Sequence, residues 1–479
     1  MTVPHYGLMI ADGSSRGPSK EVRSPFDGTL LATVQTADSA AVDQMLETAY
    51  RLLRNRAVWL PLTQRLEFPR RAATLMSDRA VELAMLVARE GGKPLMDARV
   101  EVARAIDGVL NCAELLRGAR GHVIPMCLTA ATQGRVAFTQ SEPIGVVVAV
   151  SAFNHPLNLI VHQIGPAVAA GCPFIVKPAT NTPLSCLTFM EILREAGLPD
   201  EWGQPVITAT QEIAMRLVSD WRVGFFSFIG SGEIGWNLRS KLAPGARCAL
   251  EHGGVAPVIV AADADLDAAI PKLAKGGFYH AGQVCVSVQR VFSHSSICRD
   301  VAVRLGEFAN SLLVGDPTLA ETDVGPLIRS SEVERGDEWV QEAVAGHAEL
   351  IAGGRRLAIP SCYAPTVLLN PPEDCRISTQ EVFGPVIAVY AYDRLEDAIE
   401  RSNALPVAFQ AAIFTRDYGT AMQAYSGLDA SAVMINDHTA FRADWMPFAG
   451  LRASGLGVGG IPYTFRDMQV EKMFVGPTT

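Results

Sequence analysis

"GVVVAVSAFNHPLNLIVHQIGPAVAAGCPFIVKPA", residues 145–179, is the stretch on which the fold turns. Its ends, "GVVVAVSAF" and "PFIVKPA", are short, continuous apolar runs, the pattern of parallel strands covered on both faces. Between them "PLNLIVHQIGPAVAAG" reads as a crossover helix, with Pro156 near its start, where a missing N–H costs little, and Gly171 near its end. Strand, crossover helix and strand make one unit of a doubly wound α/β sheet. Such sheets bind ligands beyond the carboxyl ends of their strands.

The rhythm continues on the C-terminal side. "PVITAT", "VGFFSFIG" and "APVIVAA" are further strand candidates alternating with helices. "VQRVFSH", "PTVLLN", "PVIAVYAY", "AAIFT" and "AVMIN" mark a second α/β unit from about 256 to 450. On the N-terminal side, residues 39–118 carry apolar positions at three- and four-residue spacing with charged faces between, which predicts helices. "HVIPMCLTAATQGRVAFTQSEPIG" (122–145) changes period and reads as a projecting hairpin. The tail "IPYTFRDMQVEKMFVG" (461–476) reads as a polar connector ending in one more strand.

The chain of 479 residues has room for about two to four domains. Its 41 Lys and Arg against 50 Asp and Glu leave a net charge of −9, which argues against a nucleic-acid or anionic-membrane partner but not against a local cationic pocket. Nine cysteines (112, 127, 172, 186, 248, 285, 298, 362 and 375) are scattered without a CxxC pair or zinc spacing. A reducing cytoplasm is therefore expected, with neither a disulfide framework nor a metal site. "MTVPHYGLMIADGSSRG" lacks a basic stretch followed by an apolar one, and "IGVVVAVSAF" (144–153) is too short to span a bilayer.

Four places could do chemistry. Lys177 stands at the carboxyl end of a predicted strand, and "FSFIGSGEIGWNL" (226–238) sets Gly230, Ser231, Gly232 and Gly235 between a strand and a helix. Glycines there let backbone approach a phosphate at a helix N-terminus, although such turns are frequent and this one is not the GxGxxG fingerprint. In "ALEHGGVAPVIV" (249–260), Glu251 is enclosed by apolar residues and glycines, surroundings that raise a carboxyl pKa and suit a general base. In "YHAGQVCVSVQRV" (279–291), Cys285 between two valines is either a small core residue or a nucleophile.

The order of the pieces decides between these readings. "FNHP" with Asn154, "VKPA" with Lys177, "FIGSGEIG", "LEHGG" with Glu251, "GQVC" with Cys285, "EVFGP" with Glu381 and "MPFAGLRASGLG" follow one another along the chain. The series resembles the aldehyde dehydrogenase superfamily over nearly its whole length, as does the 34-residue separation of Glu251 from Cys285. The resemblance implies Cys285 as nucleophile, the Asn154 amide and the Cys285 backbone N–H as oxyanion donors, and Glu251 as the base for thioester hydrolysis. It implies NAD or NADP, with Lys177 and Glu381 at the riboses, Gly230 and Ser231 at the pyrophosphate and Phe383 near the nicotinamide. Thr180 replaces a glutamate common in NAD-preferring relatives, so NADP is tolerated. Gly459 stands where many relatives carry a glutamate, so a second base is absent.

The implied architecture is an aldehyde dehydrogenase fold. Residues 1–121 and 142–253 form a Rossmann-like cofactor domain, 254–453 an α/β catalytic domain, and 122–141 with 454–479 a β oligomerisation arm of a homodimer or homotetramer. In motif the chain is closest to the phosphonoacetaldehyde, lactaldehyde and non-phosphorylating glyceraldehyde-3-phosphate dehydrogenase branch. His155 and His162, seven apart on one predicted helix, either line a polar substrate tunnel or hydrogen-bond within the fold. Arg104 and Arg442 are anion clamps or structural arginines, and Val284 replaces an arginine frequent in phosphonate-selective relatives. The expected reaction is NAD(P)-dependent oxidation of a small polar, anionic, phosphonoacetaldehyde-like aldehyde to its carboxylate through a thiohemiacetal and a thioester. A neutral aldehyde, acyl transfer to coenzyme A, and a silent scaffold of the same fold are the alternatives.

Overall fold

The computed structural model describes residues 3–10 and 17–478; residues 1–2 and 11–16, within the stretch inspected for a secretion signal, lie outside them. Val146–Val150 and Phe174–Lys177 are adjacent parallel strands joined by the helix Asn158–Ala170. Gly171 ends that helix at φ 80°, a left-handed position at which a side chain is strained. Alternate strand residues enter different layers, as the continuous apolar runs require. Val147, Ala149 and Val176 pack among the helices of residues 62–118, while Val148 and Ile175 pack with Val42, Met45 and Leu46 of the helix Ser39–Arg54.

The first large sheet has six strands in the order Gly455–Leu456, Arg247–Glu251, Val223–Ile229, Val146–Val150, Phe174–Lys177 and Gly203–Pro205. All neighbours are parallel except the Gly455–Leu456 edge. The second has seven, in the order Glu349–Ala352, Thr366–Leu369, Val386–Tyr392, Arg290–His294, Pro257–Val260, Gln410–Phe414 and Ala432–Ile435. It too is parallel apart from its first edge strand. The protein is thus α/β and doubly wound, as expected.

Two regions differ from the sequence reading. Residues 17–38 hold the antiparallel strands Ser19–Arg23 and Leu30–Gln35, which period alone did not reveal because both are short and bury only Val22, Ala32 and Val34. The tail also divides. Gln469–Pro477 pairs along its length with Arg135–Pro143 in a three-stranded ribbon that includes Val123–Ile124. Ile461–Asp467, read as a connector, is a helix whose Ile461 and Phe465 join the helical core, followed there by Met468. Spacing of four and three residues puts those side chains on one face.

Candidate active site

The carboxyl ends of four neighbouring strands of the first sheet converge on one cleft of about 940 Å³. Asn154, Lys177, Gly230 and Glu251 lie at or just beyond those ends, and all line it, as do Thr180, Ser231, Glu381, Phe383, His155 and Cys285. A crevice at the carboxyl edge is where the fold brings strand-end residues together from distant parts of the chain.

The residues of the cleft fit a dinucleotide. Ser231 precedes the helix Gly232–Arg239, whose first-turn N–H groups have no side-chain cap from Ser231 and stand at the cleft as anion donors. Lys177 is pushed down to about 8 by burial and by the charge of Lys20, and an anion would restore its ammonium. Lys20, which the sequence reading did not single out, reaches the cleft from Ser19–Arg23 and donates to the Thr208 carbonyl at 3.3 Å. Glu381 lies over Gly253, where a Cβ would overlap its carboxylate, and accepts from Gly254 N–H at 3.2 Å. Burial raises Glu381 to about 8. Phe383, at φ 49°, meets Phe153 edge-on at 5.9 Å.

Cys285 follows a tight left-handed run, His280, Ala281 and Gly282, with φ values of 47°, 54° and 71°. At Gly282 a Cβ would run into the Gly384 carbonyl, so only glycine fits. Gln283 fixes this loop: its amide donates to the His280 and Pro326 carbonyls, and its Oε1 accepts from Ile328 N–H at 2.9 Å. Asn154 Nδ2 donates to the Gln283 carbonyl at 2.9 Å, which ties the amide to the cysteine loop. Gln289 couples the next strand to the Glu381 segment, donating to Gln380 at 2.7 Å and accepting from Val382 at 2.9 Å. Ser454 clamps the turn after Glu251 through a 2.8 Å bond to the Gly253 carbonyl. These positioning residues were missed by the sequence reading, although "GQVC" and "ASGLG" contain two of them.

Electrostatics separate the two reactive groups. Burial, then the charges of Glu251 and Glu381, push the Cys285 thiol up to about 12. Burial raises Glu251 to about 7, opposed by Arg442. The Glu251 carboxylate occupies the space into which a side chain at Gly459 would project. The glycine in place of a second glutamate therefore makes room for the first.

The four residues read as substrate contacts do not behave alike. His155 lines the cleft, whereas Arg104, His162 and Arg442 lie outside its lining. The helix begins at Asn158, because Glu101 Oε1 accepts from the Leu157 and Asn158 N–H groups, so His155 precedes it and does not share a face with His162. Arg104 grips Asp444 through Nη2 at 2.7 Å and Nε at 3.1 Å, and His162 Nε2 reaches the same carboxylate at 2.7 Å. Arg442 stacks its guanidinium 3.6 Å over the ring of Phe448, which does line the cleft. Its buried Nη1 has no hydrogen-bond partner among the described residues.

A thiol, an amide and a carboxyl of raised pKa thus meet in one cleft whose lining fits a dinucleotide, the arrangement of a cofactor-dependent oxidoreductase. The model of the aldehyde dehydrogenase family matches residues 11–474, and the chain belongs to that family. A 3-sulfolactaldehyde dehydrogenase of Priestia megaterium is 36% identical over 474 residues, 99% of this chain and 98% of the relative. Aldehyde dehydrogenase 21 of Physcomitrella patens, solved with the product succinate, superposes at a TM-score of 0.95 with 32% identity, covering 100% of this chain and 99% of that one. GapN of Methanocaldococcus jannaschii, solved with NADP, gives 0.90 with 32% identity over 97% of this chain and 100% of that one. The protein is an NAD(P)-dependent aldehyde dehydrogenase.

Proposed function

We propose that the protein oxidises a small, anionic aldehyde to the free carboxylate, with Arg442 anchoring the anion. The observation that carries this reading is the orphaned Nη1 of Arg442, whose guanidinium lies over the cleft-lining Phe448. Arg104 is already paired with Asp444, and its role is to hold that carboxylate. His155 adds a polar contact in the same path. Phosphonoacetaldehyde and 3-sulfolactaldehyde both carry such an anion; the sulfonate is what the Priestia relative's name describes.

The thiol proton of Cys285 passes to Glu251 as Sγ adds to the carbonyl carbon. The resulting oxyanion faces Asn154 Nδ2, whose second N–H is unused by Gln283, and the Cys285 backbone N–H; each such donor contributes about 3–4 kcal/mol to the transition state. When bound over Glu381, Lys177 and Ser231, NAD(P) supplies the hydride acceptor. Glu251, poised near neutral pH, gives up the thiol proton to solvent before this step, then takes a proton from water as it attacks the thioester, and Cys285 leaves as a thiolate that regains its proton from Glu251.

Free cysteines at all nine positions support work in a reducing cytoplasm, and no described helix is long and apolar enough to cross a membrane. The ribbon of Arg135–Pro143 and Gln469–Pro477 exposes the stacked pair Phe138 and Phe474, which supports a homodimer or homotetramer closed through this arm.

The test is initial reduction of NAD and of NADP with phosphonoacetaldehyde, 3-sulfolactaldehyde and propanal, with and without coenzyme A. A preference of about tenfold or more in kcat/KM for an anion, lost in Arg442→Ala, is expected, with carboxylate as product in every case. Equal or better use of propanal overturns the anionic reading, and acyl-coenzyme A formation overturns hydrolysis.

A further inference from the structure

The turn that presents Asn154 runs into His155, whose Nδ1 lies 2.8 Å from Lys93 Nζ. Lys93 and Glu101 are fully buried and form an ion pair through Glu101 Oε2. The other oxygen of Glu101 accepts from Leu157 N–H at 3.0 Å and Asn158 N–H at 3.1 Å. Burial pushes this carboxyl up, but the charge of Lys93 and the neighbouring His155 win and hold it well below the usual carboxylate range. Burial pushes Lys93 down, but the Glu101 charge and hydrogen bond oppose it, and in the ion pair Lys93 is an ammonium, which has three donors and no acceptor.

That settles the tautomer of the facing ring. A nitrogen 2.8 Å from an ammonium must offer a lone pair, so Nδ1 is bare and a neutral imidazole carries its proton on Nε2. Glu101 Oε2 stands farther off, at 3.5 Å from Nδ1, so the ammonium at 2.8 Å is the nearer partner of that nitrogen. Burial and the Lys93 charge push the ring down to about 4, so it stays neutral in the physiological range. Among the described residues Nε2 has no hydrogen-bond partner, and the ring lines the cleft.

We propose that Lys93 is a positioning residue that fixes His155 as a neutral Nε2–H donor to the polar end of the aldehyde substrate. This rests on the reading of His155 as a substrate contact. A donor that cannot take up a proton orients an anionic or hydroxylated substrate without adding a second buried cation to Arg442. It also holds that role at any pH at which Lys93 and Glu101 stay paired. The groups facing the ring are Lys93, Glu101, Tyr279 and His280, with Arg104 beyond them.

The full-length wild-type protein, labelled with ¹⁵N-histidine and with the His155 signals assigned by their loss in His155→Leu, gives the tautomer directly. Nδ1 is expected to resonate as a bare nitrogen and Nε2 as a protonated one; a ring protonated at Nδ1, or at both nitrogens, overturns the proposal. The charge-neutral pair Lys93→Met with Glu101→Gln should release the tautomer and raise KM about 3- to 10-fold, with kcat changed less than about twofold. Placed in the His155→Leu background, the same pair should add nothing to KM, and an additive rise would show that Lys93 does not act through His155. Unchanged KM in His155→Leu, with the wild-type ring protonated at Nε2, overturns the substrate contact and not the tautomer assignment.

Discussion

Two enclosed glutamates serve this active site, and their surroundings drive them apart. Glu251 has no cationic hydrogen-bond partner; burial raises it to about 7, with only the charge of Arg442 opposing. Glu101 is the more deeply buried of the two; it accepts from two helix-start N–H groups, and the charge of Lys93 with the neighbouring His155 holds it ionised. One carboxyl is left free to exchange a proton near neutral pH. The other is permanently charged and organises the Asn154–Asn158 turn. Residue type does not separate base from scaffold here; the partners do.

The comparison can be broken most sharply at the thiol that Glu251 serves. Cys285→Ser should abolish dehydrogenase turnover while NAD(P) binding, followed by fluorescence titration, stays intact. Substantial turnover would move the nucleophile elsewhere. Glu251→Gln should slow both steps that pass a proton to Glu251, thioester hydrolysis by about 10³-fold and the first hydride burst to a smaller extent, read by rapid-quench kinetics. An equal fall in both would mean that Glu251 acts on the thiol alone.

At the other glutamate the expected loss is in stability. Glu101→Leu leaves the Lys93 ammonium buried and unpaired, which costs about 3–5 kcal/mol in denaturant unfolding. A loss below about 1 kcal/mol would show the pair is not structural. The smallest effect is in pH. Because Glu251 is raised, hydrolysis needs it deprotonated, so the steady-state rate should climb roughly tenfold from pH 6 to pH 8 and then flatten. Glu101, being depressed, should contribute no step in that window. A second inflection that disappears in Glu101→Gln would contradict the contrast.

The cleft residues were legible because each sits within a short motif, and Asn154, Lys177, Gly230 and Glu251 also lie at or just beyond a strand end. Asn154, Lys177, Gly230, Glu251 and Cys285 all line one cavity, and strand-end position is visible in a hydrophobic run. Arg104 and His162 were not legible as partners of Asp444, since 340 and 282 residues separate them from it. Gln283 and Gln289 went unread for a similar reason. A buried amide that satisfies distant carbonyls looks, in sequence, like any polar residue beside a motif.

The sequence by itself determined the doubly wound α/β class and the family, and it named as candidates the thiol, amide and carboxyl that line the cleft. All of these follow from local period and from motifs whose chemistry is contained within a few residues. Tertiary structure alone decided which charges remain available: Arg104 spent on Asp444, Arg442 left with an orphaned donor, Glu251 settled in the space Gly459 leaves, and Lys93 set against His155. A side chain's charge state depends on what folding places within a few ångströms of it, and those neighbours come from anywhere in the chain.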